Sequence, residues 1–203
     1  MAGPRRGLFG GSFNPPHVGH LAVAEACGQA LGLDRVVWMP AAAPPHKLGD
    51  AALAPAADRL ALVRLAIAGN PRFHASDLEL RRAADGRPSY TVDTLRALGA
   101  DGDWALLVGG DSLAGFARWR EPREILRRAR LAAYRRPGAD LGDVPDWVLA
   151  RTDFVDGPAL DLSSTELRAR AAAGRTVRYL VPDAVGEAIA ERGLYGAGVD
   201  LAG

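Results

Sequence analysis

Cysteine is almost missing from this 203-residue chain: Cys27 stands alone. One cysteine closes no internal disulfide and builds no zinc knuckle with cysteine partners. It sits in an apolar stretch, HLAVAEACGQAL, where a small core residue is expected. A reducing, cytoplasmic compartment fits that usage. An excess of one charge is missing too. Lys and Arg number 25 against 24 Asp and Glu, for a formal net charge of +1. The balance argues against bulk attraction to nucleic acid or to an anionic membrane. No apolar run is long enough to span a bilayer. The basic opening MAGPRRG leads into an apolar run that stops at Gly10-Gly11, which is not a signal-peptide pattern. No internal repeat is visible. Hydrophobic residues make up 48 %, enough for a sizeable core, and the length suits one domain over residues 1–203.

Periodicity then orders the chain. RGLF (6–9) reads as a short buried strand, and HVGHLAVAEACGQALGL carries apolar residues at helical spacing up to Gly32. RVVWMP (35–40) is a second strand, so the first 40 residues form a βαβ unit and predict a parallel sheet. Residues 41–55 are a Pro- and Ala-rich loop, followed by a helix from Asp58 to Ala68. The alternation in RFHASDLEL (72–80) predicts a strand, with a turn after it and a helix from Tyr90 to Leu98. DWALLVGGD (103–111) is a strand. A short helix from Ser112, the helix EPREILRRAR and a strand from Arg130 to Tyr134 follow. PGADLGDVPDW reads as a loop, and DFVDGP (153–158) holds a last short strand. Ser163-Ser164-Thr165-Glu166 is a capping signal for a helix to Ala173, and a final helix runs from Pro182 to Arg192. The expected fold is α/β, a doubly wound, Rossmann-like, mostly parallel sheet with helices on both faces. Residues 158–203 are expected to add a small helical C-terminal lobe.

The stretch GGSFNPPHVGH (10–20) is richer in special residues than a strand-to-helix turn requires. Gly10 and Gly11 let an anion approach backbone N–H groups, and the helix N-terminus adds partial positive charge. His17 and His20 are three apart and share one face of the first turn. The stretch is neither a P-loop nor a dinucleotide fingerprint. Three readings stay open on spacing alone: an anion site, a glycine turn with capping histidines, or metal binding by the two histidines. No third ligand at zinc spacing is nearby.

HVGH resembles the HxGH signature of the nucleotidyltransferase superfamily. Later stretches narrow the resemblance: Pro44-Pro45-His46-Lys47, SYTVDTL (89–95), Gly110-Asp111-Ser112-Leu113 with Phe116 and Trp119, Ser163-Ser164-Thr165-Glu166-Leu167-Arg168, Leu180-Val181-Pro182 and Leu194-Tyr195. Together they are similar to bacterial nicotinate-nucleotide adenylyltransferases over nearly the whole chain. One variation is Asn14, where Asp is common in the family; the turn-forming carbonyl is kept and the charge is lost.

The resemblance implies attack by nicotinate mononucleotide on the α-phosphate of ATP, giving deamido-NAD and pyrophosphate without a covalent intermediate. The attacking phosphate is already an anion, so positioning and charge stabilisation suffice. By resemblance His17, His20, Lys47 and Arg168 carry the chemistry. Gly10, Gly11, Ser12, Phe13, Asp111, Ser164 and Thr165 complete the ATP site, with Asp111 on ribose hydroxyls. Lys47, Thr91, Val92, Trp119 and Arg120 meet the nicotinate nucleotide. The indole of Trp119 suits a cationic pyridinium ring, and helix N–H donors suit a carboxylate better than an amide. Mg²⁺ is expected to arrive with ATP, with no metal site of the protein's own. The expected partners are these two small molecules, with no nucleic acid and no membrane. His46 and His74 have no assigned role. The arginine-rich segment from Arg118 to Arg136 reads as a solvated face. Three other readings stand beside this one. They are the same chemistry on pantetheine phosphate or nicotinamide mononucleotide, a non-catalytic nucleotide-binding module, and an RNA-binding protein.

Overall fold

The computed structural model of the chain describes residues 3–83, 87–99, 103–135, 144–158 and 160–197, without the side chain of Asp111. Six strands make one sheet: β1 (Arg5–Gly11), β2 (Arg35–Pro40), β3 (Phe73–Ala75), β4 (Asp103–Gly109), β5 (Ala129–Arg135) and β6 (Thr152–Asp156). Their order is β3-β2-β1-β4-β5-β6, and every pairing is parallel. Parallel neighbours need crossovers, which run through α1 (Val18–Ala30), α2 (Ala56–Ile67), α3 (Leu78–Arg82), α4 (Thr91–Leu98), α5 (Gly110–Gly115), α6 (Pro122–Arg128) and α7 (Asp146–Leu149). After β6 come α8 (Ser164–Ala172) and α9 (Asp183–Glu191). The expected doubly wound α/β architecture is therefore present. Its strand order reverses between β1 and β4, so the loops leaving those two strands part and open a crevice.

Strand alternation divides the core. Leu8, Leu106, Val108, Leu131 and Ala133 face one side, where Val92, Leu95, Phe116, Ile125 and Val148 cover them. Phe9, Ala105, Leu107, Ala132 and Tyr134 face the other, against α1 and α2 through Ala24, Cys27, Val63 and Ile67. Both faces are buried, which is why the strands read as near-continuous apolar runs. Cys27 is wholly buried, and desolvation pushes its thiol up to about 12. It is the core residue expected of it. A third cluster joins Leu62 of α2 to Leu167 and Ala171 of α8 and Val185 and Ile189 of α9. The C-terminal helices thus pack on the far side of α2, and Arg192 pairs with Asp58 at 2.7 Å.

Three expectations are corrected. The strand expected over 72–80 ends at Ala75, and α3 follows. Ser76 makes the last ladder-like bond, to the Trp38 carbonyl, and its hydroxyl then accepts the Leu78 N–H. Asp77 pairs with Arg81 one helical turn on, so LEL belongs to a helix although it alternates like a strand. Second, β4 stops at Gly109, and Gly110-Asp111 already opens α5. Third, Asp146 and Trp147 of the expected loop are helical; residues 136–143 lie outside the described residues.

Candidate active site

At the end of β1, a Cβ added to Gly10 would meet nothing within 4 Å, so this backbone is open to a ligand. Phe13 takes a left-handed turn at φ 46°. Its ring is buried edge-on against Phe9 and His20, at 5.4 and 5.2 Å. Phe13 therefore borders the site through its backbone, and its side chain props His20. Asn14 is fully buried. Its Nδ2 donates to the Ala52 carbonyl at 2.8 Å, and its Oδ1 accepts the Ala54 N–H at 3.0 Å.

His17 is the N-cap residue of α1, and its ring lies 3.7 Å from that of His20. The His17 N–H donates to His20 Nδ1 at 3.2 Å. With Nδ1 accepting, neutral His20 carries its proton on Nε2. Burial lowers His17 to about 4. Burial also lowers His20 well below the usual histidine range, helped by His17 and then Lys47. At pH 7 both rings are neutral hydrogen-bond donors. Among the described residues the buried Nδ1 of His17 has no hydrogen-bond partner. The glycine between them has a steric reason: a Cβ on Gly19 would lie 3.0 Å from His17 Nδ1.

The positive charge comes from elsewhere. Arg168 of α8 donates to the Asn14 carbonyl at 3.0 Å and to Thr165 Oγ1 at 3.3 Å. Ser164 Oγ donates to the Pro15 carbonyl at 2.9 Å. The start of α8 is thereby fastened to the loop after β1. Lys47 ends a 3-10 turn, Pro45–Lys47. Its ammonium is lowered by burial and then by Arg168, which places it in the same field as His20. His46 beside it is exposed. Asp111 opens α5 after β4, but its side chain lies outside the described residues.

A second group sits at the start of α4. Tyr90 does not cap this helix with its side chain, and no acceptor among the described residues takes the Thr91 or Val92 N–H. The Val92 side chain is fully buried, so it offers only its backbone. Trp119 is half-buried at 5.3 Å from Phe116, and its own N–H is taken by the Phe116 carbonyl. The Arg120 guanidinium stacks 4.6 Å over the Tyr90 ring. That contact ties the Trp119 segment to α4.

Comparison with known proteins agrees with this layout. Residues 8–170 match the cytidylyltransferase-like family. A probable nicotinate-nucleotide adenylyltransferase of Salinibacter ruber is 47 % identical over 192 residues, covering 93 % of this chain and 96 % of its own. One from Roseiflexus castenholzii is 46 % identical over 202 residues, covering 96 % and 100 %. The chain belongs to the nicotinate-nucleotide adenylyltransferase family. Among solved structures, Plasmodium falciparum nicotinic acid mononucleotide adenylyltransferase complexed with NaAD superposes with a TM-score of 0.77. It is 15 % identical, with 97 % of this chain and 99 % of that one covered. A putative nicotinate-nucleotide adenylyltransferase from Vibrio parahaemolyticus gives 0.67 at 20 % identity and 95 % of each chain. At such identities the structures speak for the fold.

Within this family member, two site neighbours escaped the sequence reading. Arg59, fully buried, reaches three carbonyls of two loops at once, and half-buried Glu79 of α3 accepts from Thr94 of α4. In the sequence they lie unmarked, Arg59 in the expected 58–68 helix and Glu79 in the expected 72–80 strand. A third signal was in plain sight: Lys47 is the only lysine of a chain with 24 arginines. Most of the arginine-rich segment is occupied locally. Arg127 and Arg128 pair with Glu124, Arg130 with Asp153 and Arg135 with Asp156, while Arg136 lies outside the described residues. Among the described residues no group of three His, Cys, Asp or Glu could hold a metal ion. No helix among them is long and apolar enough to cross a membrane.

Proposed function

We propose that this chain transfers the adenylyl group of ATP to nicotinate mononucleotide, releasing pyrophosphate and forming deamido-NAD, within one domain over residues 1–203. The observation that carries the site assignment is convergence. His17 and His20 from the start of α1, Lys47 from the 41–55 loop and Arg168 from α8 meet around the open end of β1.

That donor set fits a triphosphate. Its members offer N–H groups and positive charge to the phosphate oxygens, and Mg²⁺ bound to those phosphates would offset part of their charge. Gly10, Gly11 and Ser12 present backbone, Ser164 and Thr165 present a helix start, and Arg168 grips the leaving pyrophosphate. Asp111 takes the ribose hydroxyls. His20 donates from Nε2 to the α-phosphate as charge builds on its non-bridging oxygens. Because burial keeps the ring neutral, it donates without needing to be protonated first. The acceptor phosphate attacks in line, its oxygen bonding phosphorus as the bridging oxygen departs. Across the crevice the free N–H groups of Thr91 and Val92 meet the nicotinate carboxylate. Trp119 stacks on the ring, and the Arg120 backbone supports it. In this reading the partners are the two nucleotides, with no nucleic acid and no membrane, and the reaction belongs in the cytoplasm.

The test is pyrophosphate release with Mg²⁺ and ATP, offering nicotinate and nicotinamide mononucleotides side by side. The acid should be strongly preferred. Equal use would leave the chemistry but remove the carboxylate site. His20→Ala should lose about a hundredfold or more in kcat. Turnover kept within about tenfold would take His20 out of the reaction.

A further inference from the structure

Arg59 has a place that the reaction as described does not use. It is fully buried, on the first turn of α2. Its Nε donates to the Ala54 carbonyl at 2.9 Å, one terminal nitrogen to the Ser12 carbonyl at 2.7 Å, and the other to the Ala42 carbonyl at 3.2 Å. Among the described residues no carboxylate forms an ion pair with it. A buried guanidinium satisfied by three carbonyls is a geometric device, because its planar fork fixes the directions of all three. The three carbonyls belong to the end of the phosphate-binding turn and to both ends of the loop that carries Lys47.

The same loop is held from the opposite side. The Ala42 N–H faces the Glu79 carboxylate, which also accepts from Thr94 Oγ1 at 2.6 Å. Ala43 exchanges two bonds with Ser89: its N–H donates to Ser89 Oγ at 3.2 Å, and its carbonyl accepts the Ser89 N–H at 2.9 Å. Residues 42–43 are thus clamped between Arg59 and the segment leading into α4. Lys47 follows four residues later.

We propose that Arg59 is a positioning residue: by clamping the Ser12, Ala42 and Ala54 carbonyls it sets where Lys47 stands over the phosphate cradle, and it serves the reaction through Lys47. This rests on the site assignment above. Lysine at position 59 would keep the charge but not the fork, so Arg59→Lys separates placement from field.

The experiment is a double-mutant cycle with Arg59→Lys and Lys47→Ala, read as kcat/KM for ATP beside the melting temperature. Arg59→Lys should lose about tenfold to a hundredfold, the scale of an ångström's misplacement. In the Lys47→Ala background the same change should cost less than about threefold, since the group it places is gone. Losses that multiply in full would overturn the proposal, as would unchanged turnover in Arg59→Lys. A second measurement needs no variant. Lys47 is the only lysine, so ¹³C reductive methylation labels one side chain besides the N-terminus. In the ligand-free protein its signal should be shifted from the free-lysine position and titrate below the ordinary lysine value. A free-lysine signal with ordinary titration would show a loop that is not clamped, and would overturn the proposal even if Arg59→Lys failed to fold. Absence of turnover in the wild-type protein would count against the adenylyltransferase reading, while the labelled lysine would still report on the clamp.

Discussion

At the scale of single residues, the HxGH stretch is explained by contact distances. Two imidazoles stack at one helix start, a glycine between them avoids a clash, and a buried phenyl ring supports one of them. Asn14 shows how local such logic is. A carboxylate there would keep the acceptor for Ala54 but would set an oxygen against the Ala52 carbonyl, now 2.8 Å from Nδ2. Asn14→Asp should therefore destabilise this chain by about 1–3 kcal/mol, the cost of a buried polar group left without its partner. Calorimetry would show it as a lower melting temperature. An unchanged value would mean that the 52–54 loop is not fastened through the amide. Candidate site residues stood out where they are oddly spaced, as His17 and His20 are, while Lys47 came only through the resemblance. Arg59 was not legible, because an arginine on a helix among 24 arginines carries no mark of burial. Its role depends on where three distant carbonyls end up.

At the scale of elements, strands and their helices were legible because burial on both faces makes the centres of β1, β2, β4 and β5 apolar. The 72–80 segment was misread for a physical reason. Two leucines flanking Glu79 alternate like a strand, while the signals that turn the chain, Ser76 and Asp77, are short-range hydrogen bonds that periodicity does not register. Helix α4 allows a test that acts on one element alone. Thr91 is its first residue, where proline is tolerated because that N–H has no helical partner. Tyr90 before it already has extended backbone, φ −101° and ψ 133°, as a residue preceding proline requires. Thr91→Pro should thus leave α4 formed and remove one donor from the carboxylate site. The preference for nicotinate over nicotinamide mononucleotide should fall by about tenfold, roughly one hydrogen bond to a charged group. The ATP KM should stay put. An unchanged preference would move the carboxylate away from this helix start.

At the scale of the whole molecule, a nearly neutral chain concentrates unpaired donors in one crevice, and that has a cost in acid. An unfolded histidine takes up a proton near pH 6.5, whereas folded His17 resists protonation down to about 4. Between those values the unfolded state binds more protons, so folding stability is full above about pH 6.5 and falls as pH drops toward 4. From pH 7 to 5 the loss from His17 alone is about 2 kcal/mol, or roughly 4–8 °C in melting temperature for a chain of this size. His20, lowered further by burial and by His17, adds in the same direction. Half-buried Glu79 opposes them, because desolvation raises its pKa and makes the fold take up a proton first as pH falls. The surface acids held low by arginines, Asp153 and Asp156 among them, act only nearer their own range, below the window considered. Replacing His17 with Gln should flatten the melting profile between pH 7 and 5. Pyrophosphate should flatten it too in the wild-type protein, since an anion beside the two rings favours their protonated forms. Its stabilising effect should then grow as pH falls from 7 to 5. A profile equally steep with and without His17 would place the acid-sensitive group elsewhere. A pyrophosphate effect that shrinks in acid would mean that the anion does not sit against these histidines.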